Sequence, residues 1–147
     1  MEAATAVQAM GQIVQGVAGY ESGKYNRKVA RINATNMMRD GEMEAARIRD
    51  VSRLVMGAQI GAQAESGFTP GTGTALASLL ESATEAELDI MTARRRAQTG
   101  ANAHQASGNA AYAAGYNQMV GGFYGAAGTV SNNSQDYANA RAASGRG

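Results

Sequence analysis

The chain has 147 residues, no cysteine, one histidine and one proline, with 13 basic residues against 12 acidic. This length suits one domain, and the missing cysteine excludes a disulfide framework, a thiolate nucleophile and a Cys-ligated metal. A formal net charge of +1 gives no global pull toward nucleic acid or anionic membranes.

Charge is distributed unevenly. Ala3 to Tyr20 is uncharged, as are the 39 residues from Ala97 to Gln135. Apart from Glu2, Asp136, Arg141 and Arg146, every ionised side chain lies between Glu21 and Arg96. Large apolar residues are scarce: Leu, Ile, Val and Phe number 20, while Ala and Gly make about a third of the chain. Small side chains bury little apolar area each but let helix backbones approach closely. The expectation is an all-α fold, a long helical hairpin with Gly/Ala-rich helical arms, assembled as an oligomer and stabilised by neighbouring copies.

In chain order, residues 1–20 predict an uncharged helix with Met10, Ile13, Val14 and Val17 in one stripe and a break at Gly23. Residues 21–98 predict a charged hairpin. Its first helix runs from Lys24 to Glu65, with Gly41 as a candidate kink and Glu44–Arg47 and Asp50–Arg53 as favourable i, i+3 pairs. The turn falls at 66–74, which holds the only proline, and Thr72 or Thr74 is a suitable N-cap. Phe68 is placed to tuck beneath it. The second helix starts at Ala75, acidic at Glu81, Glu85, Glu87 and Asp89 and basic at Arg94, Arg95 and Arg96. Folded back antiparallel, its acidic half meets Arg47, Arg49 and Arg53. The expected hairpin core is Ile48, Val51, Val55, Leu76, Leu79 and Leu80. Residues 99–130 predict a Gly/Ala/Tyr-rich arm, and 131–147 a flexible tail.

No catalytic constellation emerges. His104 has no carboxylate in its segment, and Gly71-Thr72-Gly73 lacks the Gly-Lys-Ser/Thr and the preceding strand of a phosphate loop. Glu81, Glu85 and Glu87 read as a salt-bridged helix face rather than a cation site. Arg94 to Arg96 read as a helix end favoured by the dipole, with nucleic-acid contact as the competing reading. No enzyme, cofactor or metal is expected. Gly57, Gly61, Gly121 and Gly125 form small-xxx-small pairs suited to packing between copies. Tyr112, Tyr116, Phe123 and Tyr124 are candidates for membrane or partner contact.

The run Leu54 to Phe68 (LVMGAQIGAQAESGF), then Gly71 to Leu80 (GTGTALASLL), then Glu85 to Asp89 (EAELD), resembles the small internal virion proteins of short-tailed bacteriophages. The resemblance spans roughly Gly11 to Gln98 and rests on small-residue motifs; beyond Gln98 it is compositional. It implies a non-enzymatic protein of the virion interior or portal–tail axis, ejected ahead of the genome to help build a conduit through the host envelope. Its implied partners are copies of itself, other internal virion, portal or tail proteins, and the host outer membrane. The alternative is a structural tail or portal-adaptor component that stays in the particle.

Overall fold

The computed structural model describes the backbone at 2–67, 69 and 72–144 and side chains at 4–67, 69 and 72–142. Two helices, α1 (Glu2–Glu65) and α2 (Gly73–Ser144), form a helical hairpin with no strand among the described residues. They run for 64 and 72 residues. Neither contains proline, and alanine, the strongest helix former, recurs throughout both. Interior glycines each cost about 1 kcal/mol relative to alanine, so helices this long depend on tertiary contacts made at those glycines.

Gly67 and Gly73 flank the turn with φ of 78° and 55°, in the left-handed region where a Cβ is disfavoured. Ser66 closes the end of α1 by donating both its N–H (3.1 Å) and its hydroxyl (2.8 Å) to the Ala62 carbonyl. At the start of α2 the Thr72 carbonyl accepts from the Leu76 N–H at 3.3 Å, and its hydroxyl donates to the Thr69 carbonyl at 2.8 Å. Thr72 thus occupies the cap position, and the turn lies where the sequence places it. The expected role of Phe68 lies outside the described residues.

The hairpin divides into two compact units. Unit 1 comprises Met1–Arg31 and Gln105–Gly147, so the N-terminal and C-terminal arms pack on each other. Its seam is built from small residues at seven-residue spacing: Ala9, Gly16, Gly23 and Ala30 on α1, and Gly108, Gly115 and Gly122 on α2. A seven-residue repeat keeps one face of a helix against its partner. The backbones touch. A Cβ on Gly23 would stand 2.6 Å from the Ala111 carbonyl oxygen, one on Gly115 2.5 Å from that of Gly19, and one on Gly122 2.5 Å from that of Gln12. Gly23 is therefore a buried packing position and not the expected break.

Unit 2, Ile32–His104, holds the turn. Ala34, Gly41, Ala45, Ala75, Ile90, Ala97 and Ala101 are buried along its seam. Gly41 lies against Ala97 and Gly100 against the Met37 methyl. Ile90, at 2% exposure, is the one large side chain fully enclosed among the described residues. Two amides bridge the helices near the turn: Gln59 Nε2 donates to the Ser82 hydroxyl at 3.1 Å, and Gln63 Nε2 to the Ala75 carbonyl at 3.3 Å.

This seam corrects the expected core. Ile48 and Leu79 are half-buried, but Val51 (52%), Val55 (47%), Leu76 (41%) and Leu80 (59%) face outward. Small residues win the seam because they allow the shortest separation of the helix axes, which moves larger side chains to its flanks. The tail is corrected as well: α2 continues as helix from 131 to Ser144, through the residues expected to be loop.

Candidate interaction surface

The face that each side chain presents follows from the seam. On an α-helix each residue is turned about 100° from the one before it. The residue after a seam position therefore lies on one side of the two-helix layer, and the residue before it on the other. Because the helices run antiparallel, the same sense of rotation brings both helices to the same side.

In unit 1 the residues after seam positions are Met10, Val17, Lys24 and Arg31 on α1, and Asn109, Tyr116 and Phe123 on α2, all exposed. Met10, Val17, Tyr116 and Phe123 are 67%, 43%, 49% and 49% exposed, and Val130 at 55% extends the α2 row in seven-residue steps. The residues before seam positions are Gln8, Gln15, Ser22 and Val29 on α1, and Ser107, Ala114 and Gly121 on α2, all exposed but the half-buried Val29. Unit 1 thus has one side that is apolar and aromatic from Met10 to Val17 and from Tyr116 to Val130 and basic at Lys24 and Arg31, and an uncharged side of amides, hydroxyls and small residues. No formal charge falls within its stretches 4–20 and 105–135.

Of the four aromatic candidates, Tyr116 and Phe123 share the apolar side. Tyr124, 76% exposed, lies further round the helix. Tyr112 is corrected: it is half-buried at the seam, its ring centroid 5.7 Å from that of Tyr20. The two hydroxyls are 3.4 Å apart and share a hydrogen bond. The Arg27 guanidinium sits 4.8 Å from the Tyr112 centroid and the Lys24 ammonium 5.9 Å from that of Tyr20, within reach of cation–π attraction. The Tyr20 phenol is held above its usual pKa, chiefly by the hydrogen bond with Tyr112. Sequence reading missed this cluster, although Tyr20, Lys24 and Arg27 stand at helical spacing.

Among the four small-xxx-small glycines, nothing lies within 4 Å of a Cβ built at Gly57, Gly61 or Gly121. Gly125 meets the Gln12 amide oxygen of its own chain at 2.9 Å, so its close contact is intramolecular.

In unit 2 the same geometry separates two charged grooves. One is lined by Glu44, Arg47, Val51, Val55, Glu85 and Asp89, so the acidic start of α2 faces Arg47 as expected. The other side carries Arg49, Arg53, Met56 and Glu87, then Glu42, Arg94 and Arg95. Asp50 pairs with Arg53 at 3.7 Å on the exposed surface, and Glu42 accepts from Arg94 at 2.9 Å. Exposed pairs such as these contribute about 0–1 kcal/mol each. His104 is half-buried in unit 2.

Among the described residues no group of three His, Cys, Asp or Glu could hold a metal ion, and no helix is long and apolar enough to cross a membrane. Comparison with family models, curated proteins and solved structures finds no match for this chain.

Proposed function

We propose that the protein is a bacteriophage internal virion protein, ejected into the host to help form an envelope-spanning conduit for the genome, and that it acts by assembly rather than catalysis. The observation that carries this reading is the two-sided, uncharged part of unit 1 formed by 4–20 and 105–135. A layer with Tyr116, Phe123, Met10 and Val17 on one side and Gln8, Gln15 and Ser22 on the other suits a ring of copies. The aromatic side would turn toward lipid or an envelope protein and the amide side toward a wet lumen. An uncharged lumen suits DNA passage, because fixed cations would hold phosphates by displacing their counterions. Gly57, Gly61 and Gly121, unoccupied by the described residues, are positions where a neighbouring copy can approach closely.

The small-residue seam fits ejection in a second way. With Ile90 the single large enclosed side chain among those described, little apolar burial resists separation of the two helices. A hairpin of this kind passes through a narrow channel at lower cost than a domain with a large core.

The alternative, a tail or portal-adaptor component, shares the assembly but not the departure from the particle. Quantifying the chain in full particles, in particles that have released their genome, and in the envelope fraction of infected cells separates the two. The proposal expects loss from emptied particles and recovery in the envelope. Retention at the original copy number would establish the adaptor role.

A further inference from the structure

The two sides of unit 2 are complementary to each other, and we propose that copies of the chain associate head to tail through them. The inference shares with the proposed function only the premise that copies assemble. The first groove carries three carboxylates, Glu44, Glu85 and Asp89, against one guanidinium, Arg47. The opposite side carries four guanidinia, Arg49, Arg53, Arg94 and Arg95, against two carboxylates, Glu42 and Glu87. The residues lining these grooves sum to −2 and +2, and Asp50, paired with Arg53 at 3.7 Å, lowers the second to +1.

Each side has an apolar centre for the charges to surround. Val51 and Val55 lie in the acidic groove, 52% and 47% exposed. Leu80 and Met91, which follow the seam positions Leu79 and Ile90, lie on the basic side at 59% and 55% exposure. Exposed apolar side chains ringed by charge mark a partner surface. Ser52 and Ala86 line both the acidic groove and the Arg49–Arg53 groove, so the two stand at the same level along the unit. A second copy placed alongside in the same direction therefore sets the acidic groove, which holds Glu85 and Asp89, over the groove that holds Arg49 and Arg53, without a shift along the axis. Two different surfaces in contact make a heterologous interface, which repeats from copy to copy and closes into a ring when the rotation permits. A two-fold dimer through either side alone would instead set like charges against each other.

Paired charge reversals test this directly. Glu85→Lys with Asp89→Lys makes both sides basic; Arg49→Glu with Arg53→Glu makes both acidic. Each double variant alone is expected to weaken self-association on the order of a hundredfold by sedimentation velocity, with helicity unchanged by circular dichroism. An equimolar mixture of the two is expected to regain wild-type size, because the reversed faces complement each other. For the wild type, the dissociation constant should rise about tenfold between low and high salt, since exposed charges are screened within about 10 Å at 0.1 M. Oligomers of unchanged size in both variants, a mixture that stays dissociated, or salt-independent association would each overturn the interface. So would a basic-side variant that keeps its oligomers but loses DNA binding, which would assign that side to phosphates. Unchanged oligomers would leave the proposed function standing, whereas retention in emptied particles would remove that function and leave this interface in place.

Discussion

Gly115→Leu is expected to destabilise unit 1 by about 3 kcal/mol or more, at the upper end of the overpacking range. Gly115 is buried in the seam, and even a Cβ there would stand 2.5 Å from the Gly19 carbonyl oxygen and 3.2 Å from the Tyr20 Cα. These neighbours are backbone atoms of a continuous helix, so no rotamer change relieves the clash. The helices must separate, which also loosens the contacts at Gly23, Gly16 and Gly122. Thermal unfolding followed by far-ultraviolet circular dichroism should show a midpoint lowered by on the order of 10 °C, with α2 helicity reduced. Gly11→Ala is the control. Nothing lies within 4 Å of its added Cβ, so helix propensity alone acts and the variant should gain about 0.4–1 kcal/mol. A Gly115→Leu protein as stable as wild type would show that unit 1 is not held by this seam.

The second large effect is expected at Ile90. It is 2% exposed on a seam otherwise dominated by alanine and glycine, so unit 2 has few other large side chains to share its burial. Ile90→Ala removes three heavy atoms and leaves a cavity that rigid helix backbones cannot close, at a cost of about 2–5 kcal/mol. Leu80→Ala, at a position 59% exposed in the single chain, should cost far less where copies are dissociated, despite removing a side chain of the same size. Urea denaturation of both variants reads the difference as a shift in midpoint at constant slope. Equal losses would mean that Leu80 is covered, which in solution would point to an intermolecular contact on the basic side.

The contrast between Ile90 and Leu80 shows where sequence reading succeeded and where it stopped. The helical class, the end of α1 at Glu65 and the turn before Gly73 were legible because proline, glycine and threonine punctuate that stretch. So was the approach of the acidic start of α2 to Arg47, because charge blocks on antiparallel helices have one simple juxtaposition. The seam was not legible from apolar stripes. Val51, Val55, Leu76 and Leu80 are the larger and more hydrophobic residues, and a stripe weighted by side-chain size selects them. The signal that does identify the seam is the seven-residue recurrence of Ala9, Gly16, Gly23 and Ala30, answered by Gly108, Gly115 and Gly122. Of these, Gly23 reads from sequence as a helix break, which is the effect of a glycine in an isolated helix and the opposite of its effect where two backbones meet.

The same oversight separated the arms. Uncharged stretches with a thin apolar inventory read as segments awaiting other copies, yet they satisfy their first packing requirement on each other. Their aromatic residues then divide. Tyr112 is held at the seam by Tyr20 and Arg27, whereas Tyr116 and Phe123 remain outside. Residues 131–144 read as loop from Ser131-Asn132-Asn133-Ser134, a polar run with weak helix propensity. In the structure Ser134 donates to the Ser131 carbonyl at 2.7 Å, and the run stays helical as the continuation of a long packed helix.

The proposed function requires that unit 1 meet lipid or an envelope surface through its aromatic side. Flotation of the purified chain with phospholipid vesicles, coupled to release of an encapsulated dye, tests it most directly. Co-flotation and leakage are expected, both lost when Tyr116 and Phe123 are replaced by serine. Protein that stays at the bottom of the gradient at low and high salt, with the dye retained, would contradict it and confine the uncharged arms to protein contacts within the particle.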